Sequence, residues 1–301
     1  MGIDNIRLGP SPPRPRNAKV AGALDVARKF VIVDEALQGR VARRALESEC
    51  TAVLTIDRDT SPAVVSQLRS SGIPVALWFP DNMCNLGSLR MLLAPYNVMF
   101  FKDPLLVKRL SMTLGLEVHY LPEACNARWH RSDQAQGIDP FVVVAGNIYP
   151  SRLRLLERLM EARVPLVLYG GQFPRWARDH PARTYHANRY IARQEKAAVF
   201  RRAAAVLNNL HPGEVESVNC RLFEAAGSGA VVLAEDRPSL GALFESDELF
   251  VWRTFDQLID RAGAAVRRAG AFADVGDRAA RRAHRYHTYE HRLTVILEHL
   301  V

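Results

Sequence analysis

Apolar runs of four to six residues alternate along this chain with longer stretches patterned every three to four residues. Short continuous apolar runs read as buried strands and the longer periodic stretches as amphipathic helices. Residues 52–56, 74–79, 98–101 and 117–121 read as strands, with helices over 35–47, 61–70 and 104–114 between them. Phe30-Val31-Ile32-Val33 fits either a helix end or a short strand. Ser61-Pro62 supplies an N-cap followed by proline near the first helical position. A second series follows the polar stretch 131–137, which reads as a linker. Its strands fall at 141–145, 165–169, 205–210 and 230–234, with a short one from Val251, and its helices at 150–162, 193–203 and 256–268. Residues 279–300 read as one basic, amphipathic terminal helix. Strands alternating with helices imply parallel sheets with helices on both faces, here in two units.

The segment Glu216-Ser217-Val218-Asn219-Cys220-Arg221-Leu222-Phe223-Glu224-Ala225-Ala226-Gly227-Ser228-Gly229 carries the most chemistry. It lies between two strand-like runs, so a short helix opens just after a strand, near Val218 to Arg221, with Ser217 or Asn219 as N-cap. A helix N-terminus leaves N–H groups unpaired and carries partial positive charge, which suits a diphosphate. Arg221 adds a fork that grips phosphate oxygens in pairs. Glu224, one turn on, fits the vicinal diol of a ribose, and Glu216 lies in the preceding loop, within reach of sugar hydroxyls. An ordinary strand–helix–strand crossover gives the same spacing, so the pattern alone leaves both readings open.

Other positions fit a ligand at the carboxyl ends of the strands, where doubly wound sheets bind. Gly146-Asn147 ends one strand, Arg152 opens the next helix, Gly170 ends the following strand, and Arg189 lies on the way to the same edge. Asp81 follows a strand of the first unit, where an acid serves either as a base toward a hydroxyl or as a turn cap. Glu123 is a further acid after a strand, and His119 reads as structural. His284, His287 and His291 share one face of the expected terminal helix, a spacing that suits a surface better than a metal. No Asp-x-Asp occurs, and neither G-x-G-x-x-G nor G-x-x-x-x-G-K-[ST] is present.

Formal net charge is +8, and 35 of the 40 basic residues are arginine. They are scattered rather than gathered with interleaved aromatics, which argues against a nucleic-acid partner. The charge remains compatible with phosphate ligands and with contact to an anionic membrane surface. The four cysteines form no C-x-x-C pair, and neither a signal-peptide core nor a spanning apolar run is visible, so a reducing, cytoplasmic setting is the expectation.

Asn219-Cys220-Arg221-Leu222-Phe223-Glu224-Ala225-Ala226, inside the Glu216…Glu224 pair, resembles the motif of GT-B glycosyltransferases of the group 1 type, and among them the CgeB-like family. Residues 76–82, 118–124, 146–149 with Arg152, and 287–293 agree with that family in order and spacing. The resemblance implies two Rossmann-like doubly wound parallel-sheet domains with a cleft between them. The expected division is a Pro/Arg-rich flexible tail over 1–18, an acceptor-side domain over 19–134, a nucleotide-sugar domain over 135–283, and a terminal helix over 284–301 crossing back to the first domain. The glycine-rich first unit of the family corresponds here to the Pro-rich tail, so a shortened acceptor domain is expected. The implied activity is metal-independent transfer of a sugar from a UDP-, GDP- or dTDP-sugar to a hydroxyl on a glycan, lipid-linked, peptide or small-molecule acceptor, with no cofactor. In that reading Gly146, Asn147, Arg152, Gly170, Arg189, Ser217, Asn219, Arg221 and Glu224 hold the donor, while Glu216 and Asp81 serve catalysis. A GT-B-like nucleotide-binding scaffold without turnover is the alternative, as is another phosphate-ligand enzyme on a doubly wound sheet.

Overall fold

The computed structural model describes residues 17–27, 30–56, 60–81, 90–131 and 137–300. Most of the tail, residues 1–16, and most of the polar linker, 132–136, lie outside them, as do Asn82 and the residues to 89.

The chain divides into two compact units, one of residues 1–102, 106–121 and 296–301, the other of 103–105 and 122–295. The sequence boundary at 134/135 falls 13 residues later than the division at 121/122. Residues 122–130 fold onto the second unit, where Cys125 and Ala124 are fully buried.

In the first unit, α1 (Ala18–Ala27) and α2 (Val31–Glu47) precede β1 (Val53–Thr55). Then come α3 (Pro62–Ser70), β2 (Val75–Phe79), β3 (Val98–Phe101), α4 (Pro104–Leu114) and β4 (Val118–Tyr120). The sheet order is β1-β2-β3-β4, all parallel. Every residue of β2 and β3 is buried, which explains their unbroken apolar spelling. Ser61 caps α3 by accepting from the Ala63 amide at 3.3 Å, with Pro62 at the first helical position. The ambiguous Phe30–Val33 run opens α2, with Phe30 at the N-cap.

In the second unit the order is β5 (Asp139–Ala145), α5 (Pro150–Glu161), β6 (Leu166–Tyr169), α6 (Arg193–Arg202), β7 (Ala203–Asn208) and α7 (Cys220–Gly227). β8 (Val232–Glu235), α8 (Leu240–Leu243), β9 (Phe250–Trp252), α9 (Phe255–Arg267), α10 (Ala273–Tyr286) and α11 (Tyr289–Glu298) follow. The parallel sheet runs β6-β5-β7-β8-β9. One face packs α7 through Leu222 and Phe223 and α10 through Ala279 and Ala283; the other packs α5 and α9 through Leu156, Leu159, Leu258 and Ala262.

The single terminal helix expected over 279–300 is two helices, broken at His287-Thr288. There the backbone leaves the helical ladder to pair with Cys125: the Cys125 amide donates to the His287 carbonyl at 2.9 Å, and the Tyr289 amide to the Cys125 carbonyl at 3.1 Å. The three histidines therefore do not share one face. His284 meets the Gly227 carbonyl at 2.8 Å, His287 the Leu243 carbonyl at 2.8 Å, and His291 the Thr288 hydroxyl at 2.6 Å. α11 starts in the second unit, and its last residues belong to the first.

Two features of the α7–α10 packing are open to measurement. A Cβ at Gly276 of α10 meets the carbonyl of Gly229, which ends the α7 turn with φ +74°. Backbone cannot yield as a flexible side chain can, so Gly276→Ala should cost about 2 kcal/mol in a denaturant melt. Burial, helped by the nearby positive charge of Arg292, holds the His287 imidazole down at about 4 against an ordinary 6.5. The unfolded chain therefore binds more protons between these values. Stability should be full above about pH 6.5 and fall as pH drops towards 4, by at most about 3 kcal/mol. His287→Gln, which keeps a side-chain N–H for Leu243, should flatten that slope in melts run from pH 7 to 4.

Candidate functional site

The carboxyl ends of β5, β6, β7 and β8 lie side by side in the second unit, and polar side chains collect there. Arg152, in the first turn of α5, is 1% exposed. Its Nε donates to Asn209 Oδ1 at 2.9 Å, its Nη1 to the Asn147 carbonyl, and its Nη2 to the Tyr149 hydroxyl at 3.2 Å. Asn209 closes the group by donating from Nδ2 to the same hydroxyl at 2.9 Å. No carboxylate pairs with this guanidinium among the described residues. Burial, and then the like charge of Arg221, brings its pKa down to about 9, which leaves it charged at neutral pH.

Arg221, in the first turn of α7, extends over Gly146. A Cβ at Gly146 would collide with its Nη2 and lie 3.5 Å from Arg152 Nη1. Gly146 has φ +114°, where side-chain-bearing residues are strained, so the position admits glycine on both counts. Gly170 lies against the Gly146 carbonyl. The sheet thus brings Gly146, Asn147, Arg152, Gly170 and Arg221 together.

Asn219 occupies the N-cap of α7, but its side chain makes no capping bond. Among the described residues of the second unit, five buried side-chain atoms lack a hydrogen-bond partner: His186 Nε2, Arg201 Nε, Asn208 Oδ1, Asn219 Oδ1 and Arg221 Nη1. Asn208 ends β7, His186 follows β6, and Asn219 and Arg221 open α7, while Arg201 lies in α6. Buried polar atoms are seldom left unpaired, and such a concentration makes this edge the candidate ligand site.

The other expected residues fall into different settings. Ser217 does not cap α7; its hydroxyl donates to the Glu214 carboxylate, and both are buried. Glu216 is half-buried in the loop before α7, its backbone carbonyl accepting from Ser239. Arg189 is exposed, 3.4 Å from Glu195 and stacked on Tyr169, so its charge is already balanced by an acid. Asp81 lies just past β2 in the first unit and is exposed. His119 stacks with His299 and Phe100 and sits 2.6 Å from Glu117, a packing role.

Glu224 is already engaged. Lys196 of α6 donates to both of its oxygens, at 3.0 and 2.8 Å, and His130 Nε2 lies 3.8 Å from Oε1. The Asn126 amide donates to His130 Nδ1, so the neutral ring carries its proton on Nε2, facing the acid. Burial, ahead of every nearby charge, lowers the His130 pKa. Burial raises the Cys125 thiol to about 12 and pushes Cys220 up as well, so neither supplies a thiolate. Sequence reasoning missed Tyr149, Asn209, Lys196, His130 and Glu214, whose parts depend on side-chain direction, for Asn209, Lys196 and His130 across elements far apart in the chain.

Residues 152–298 match the family described as glycosyl transferase-like. Sucrose-phosphate synthase from Thermosynechococcus elongatus superposes with a TM-score of 0.63 at 15% identity, over 97% of this chain and 80% of that one. A UDP-forming alpha,alpha-trehalose-phosphate synthase from Burkholderia xenovorans gives 0.63 at 14% identity, over 89% and 78%. A lipopolysaccharide outer core galactosyltransferase in its apo form gives 0.58 at 11%, over 90% and 81%. The fold is GT-B. No curated protein matches the chain. The family match points to glycosyl transfer, and the neighbours to the fold. Among the described residues no helix is long and apolar enough to cross a membrane.

Gly146 offers a direct test of the GT-B site. Gly146→Ala combines a positive-φ strain of about 1 kcal/mol or more with displacement of Arg221. The variant should stay folded by circular dichroism and lose at least about tenfold in affinity for inorganic pyrophosphate, as expected when a charged hydrogen bond is lost.

Proposed function

We propose that the protein is a glycosyltransferase that takes a sugar from a nucleoside-diphosphate donor bound at the carboxyl edge of the second sheet. The observation that carries this is the pair Arg152 and Arg221. Two guanidiniums meet at one glycine, with no carboxylate paired to either among the described residues. Like charges held this close call for an anion. A diphosphate supplies one, and glycine lets it approach the backbone.

The chemistry follows from where charge moves. As the glycosidic C–O bond of the donor breaks, negative charge grows on the leaving diphosphate. Arg221, with Nη1 unpartnered, and the opening amides of α7 stabilise it, while Arg152 holds the Asn147 turn and adds field from below. The arginines supply positive charge at the leaving group, a role a divalent ion fills in metal-dependent transferases, and the reaction proposed is metal-independent. Glu224 takes the ribose diol. Glu216, free of side-chain partners among the described residues, orients the donor sugar, and Asp81 is the acid proposed to receive the proton of the acceptor hydroxyl. The group 1 resemblance favours retention at the anomeric carbon.

Thermal melts with UDP, GDP, dTDP, CMP and ADP test this reading. A ligand at a hundredfold excess over its Kd should stabilise the fold by about 2.7 kcal/mol. One nucleoside diphosphate should produce that shift, and Arg221→Ala should remove it without lowering the unliganded Tm. A well-folded protein that responds to none of them would contradict the proposal. Stabilisation without sugar transfer or donor hydrolysis would instead identify a nucleotide-binding scaffold.

A further inference from the structure

Residues 209–219, between β7 and α7, carry Glu216 and form neither strand nor helix. A segment without a ladder must find partners for its backbone elsewhere, and those partners set its shape. Here they come from the turn that follows β8. Glu235, the last residue of β8, accepts from the Leu210 amide at 2.8 Å through Oε2. Its Oε1 accepts from Arg237 Nη2 at 2.7 Å, and both side chains are mostly buried. Arg237 Nε donates to the Glu214 carbonyl at 2.8 Å, and its Nη1 ties the turn together through the Asp236 carbonyl at 2.7 Å. Ser239 completes the row. Its amide and its hydroxyl both donate to the Glu216 carbonyl, at 3.3 and 2.5 Å.

The turn is fixed in its own right. Glu235 pairs with Trp252 in the sheet, the Asp236 amide donates to the Trp252 carbonyl at 3.0 Å, and Leu240 enters the core. Glu214 and Ser217 bond to each other on either side of Glu216. The main chain of Glu216 is thus held from two directions while its side chain stays half-buried at the edge of the sheet. The arginines are held by other means. Leu222 and Phe223 anchor α7 in the core, and Asn147, Tyr149 and Asn209 hold Arg152. The diphosphate site and the acid beside it therefore have separate supports.

We propose that Arg237 and Ser239 are positioning residues that set the reach of Glu216 to the hydroxyls of the donor sugar, apart from the grip on the diphosphate. This rests on the reading of Glu216 as the acid that meets that sugar. Loosening the turn moves Glu216 and leaves Arg152 and Arg221 in place, so the sugar is released and the nucleotide is not.

The test is calorimetric titration of the full chain with UDP, GDP and dTDP, and with UDP-glucose, UDP-galactose, UDP-N-acetylglucosamine, GDP-mannose and dTDP-glucose. Arg237→Met and Ser239→Ala should leave the Kd of the bare nucleotide within about twofold, as for independent sites. Each should weaken the matching nucleotide sugar by about tenfold, the loss expected when a hydrogen bond to a charged group is misplaced. Glu216→Ala should show the same split, and adding Arg237→Met to it should weaken the sugar ligand no further. Ser239→Thr, which keeps the hydroxyl, should recover most of the affinity. Glu235 is left intact, because Leu210 adjoins Asn209. If Arg237→Met does not fold, Ser239→Ala carries the comparison, since the Ser239 amide still holds the Glu216 carbonyl. Equal weakening of nucleotide and nucleotide sugar would overturn the inference, and so would variants that bind every ligand as the wild type does. A wild type that binds a nucleotide but none of the nucleotide sugars would also overturn it and leave the diphosphate site standing. A wild type that binds no nucleotide would overturn the donor-site reading itself, and this inference with it.

Discussion

The buried guanidinium of Arg152 is the constraint around which the second unit is arranged. A charge that deep normally sits beside an opposite one, because desolvation is otherwise too costly. Here its partners are neutral oxygens: an amide side chain, a phenol and a main-chain carbonyl. They come from two segments, Asn209 from beyond β7 and Tyr149 and Asn147 from the β5–α5 turn. The strand ends must therefore sit in register for the charge to be tolerated at all. That requirement fixes the glycine turn, and the glycine turn leaves space for the second guanidinium above it.

The position of α7 is the other half of the arrangement. Its eight residues are too few to hold a helix in water, so packing must hold it. Leu222 and Phe223 enter the core facing the sheet, and α10 closes over the far end through Gly276 and the small side chains Ala279 and Ala283. His287 joins that wall, ringed by Phe223 and Phe244. The apolar face of α7 anchors it while Arg221 and Glu224 project from its more exposed side. One short helix thus presents a cation over one strand end and an anion towards α6.

Much of this was legible before any coordinates. The strands of both units and nearly all the helices between them follow from apolar runs and their punctuation, since buried parallel strands leave an unbroken apolar spelling. Gly146, Arg152, Arg221 and Glu224 were named because strand ends and helix starts are where ligands collect. What the sequence did not show are choices made by side chains among distant partners. Ser217 turned to Glu214, Arg189 took Glu195, and the terminal helix broke because Cys125 offered it a better backbone partner. Lys196 is a single lysine inside an ordinary helix pattern. Its partner is 28 residues away, and no periodicity links them.

The last residues of the chain have a consequence for how this protein can be taken apart. Residues 296–301 belong with the first unit, where the His299 ring stands edge-on to Phe100 at 5.3 Å and Ile296 is buried. Most of that unit is made before the other sheet, and one piece of it only after. During synthesis the early half cannot finish until that piece has emerged from the ribosome. No single cut along the backbone yields both units entire.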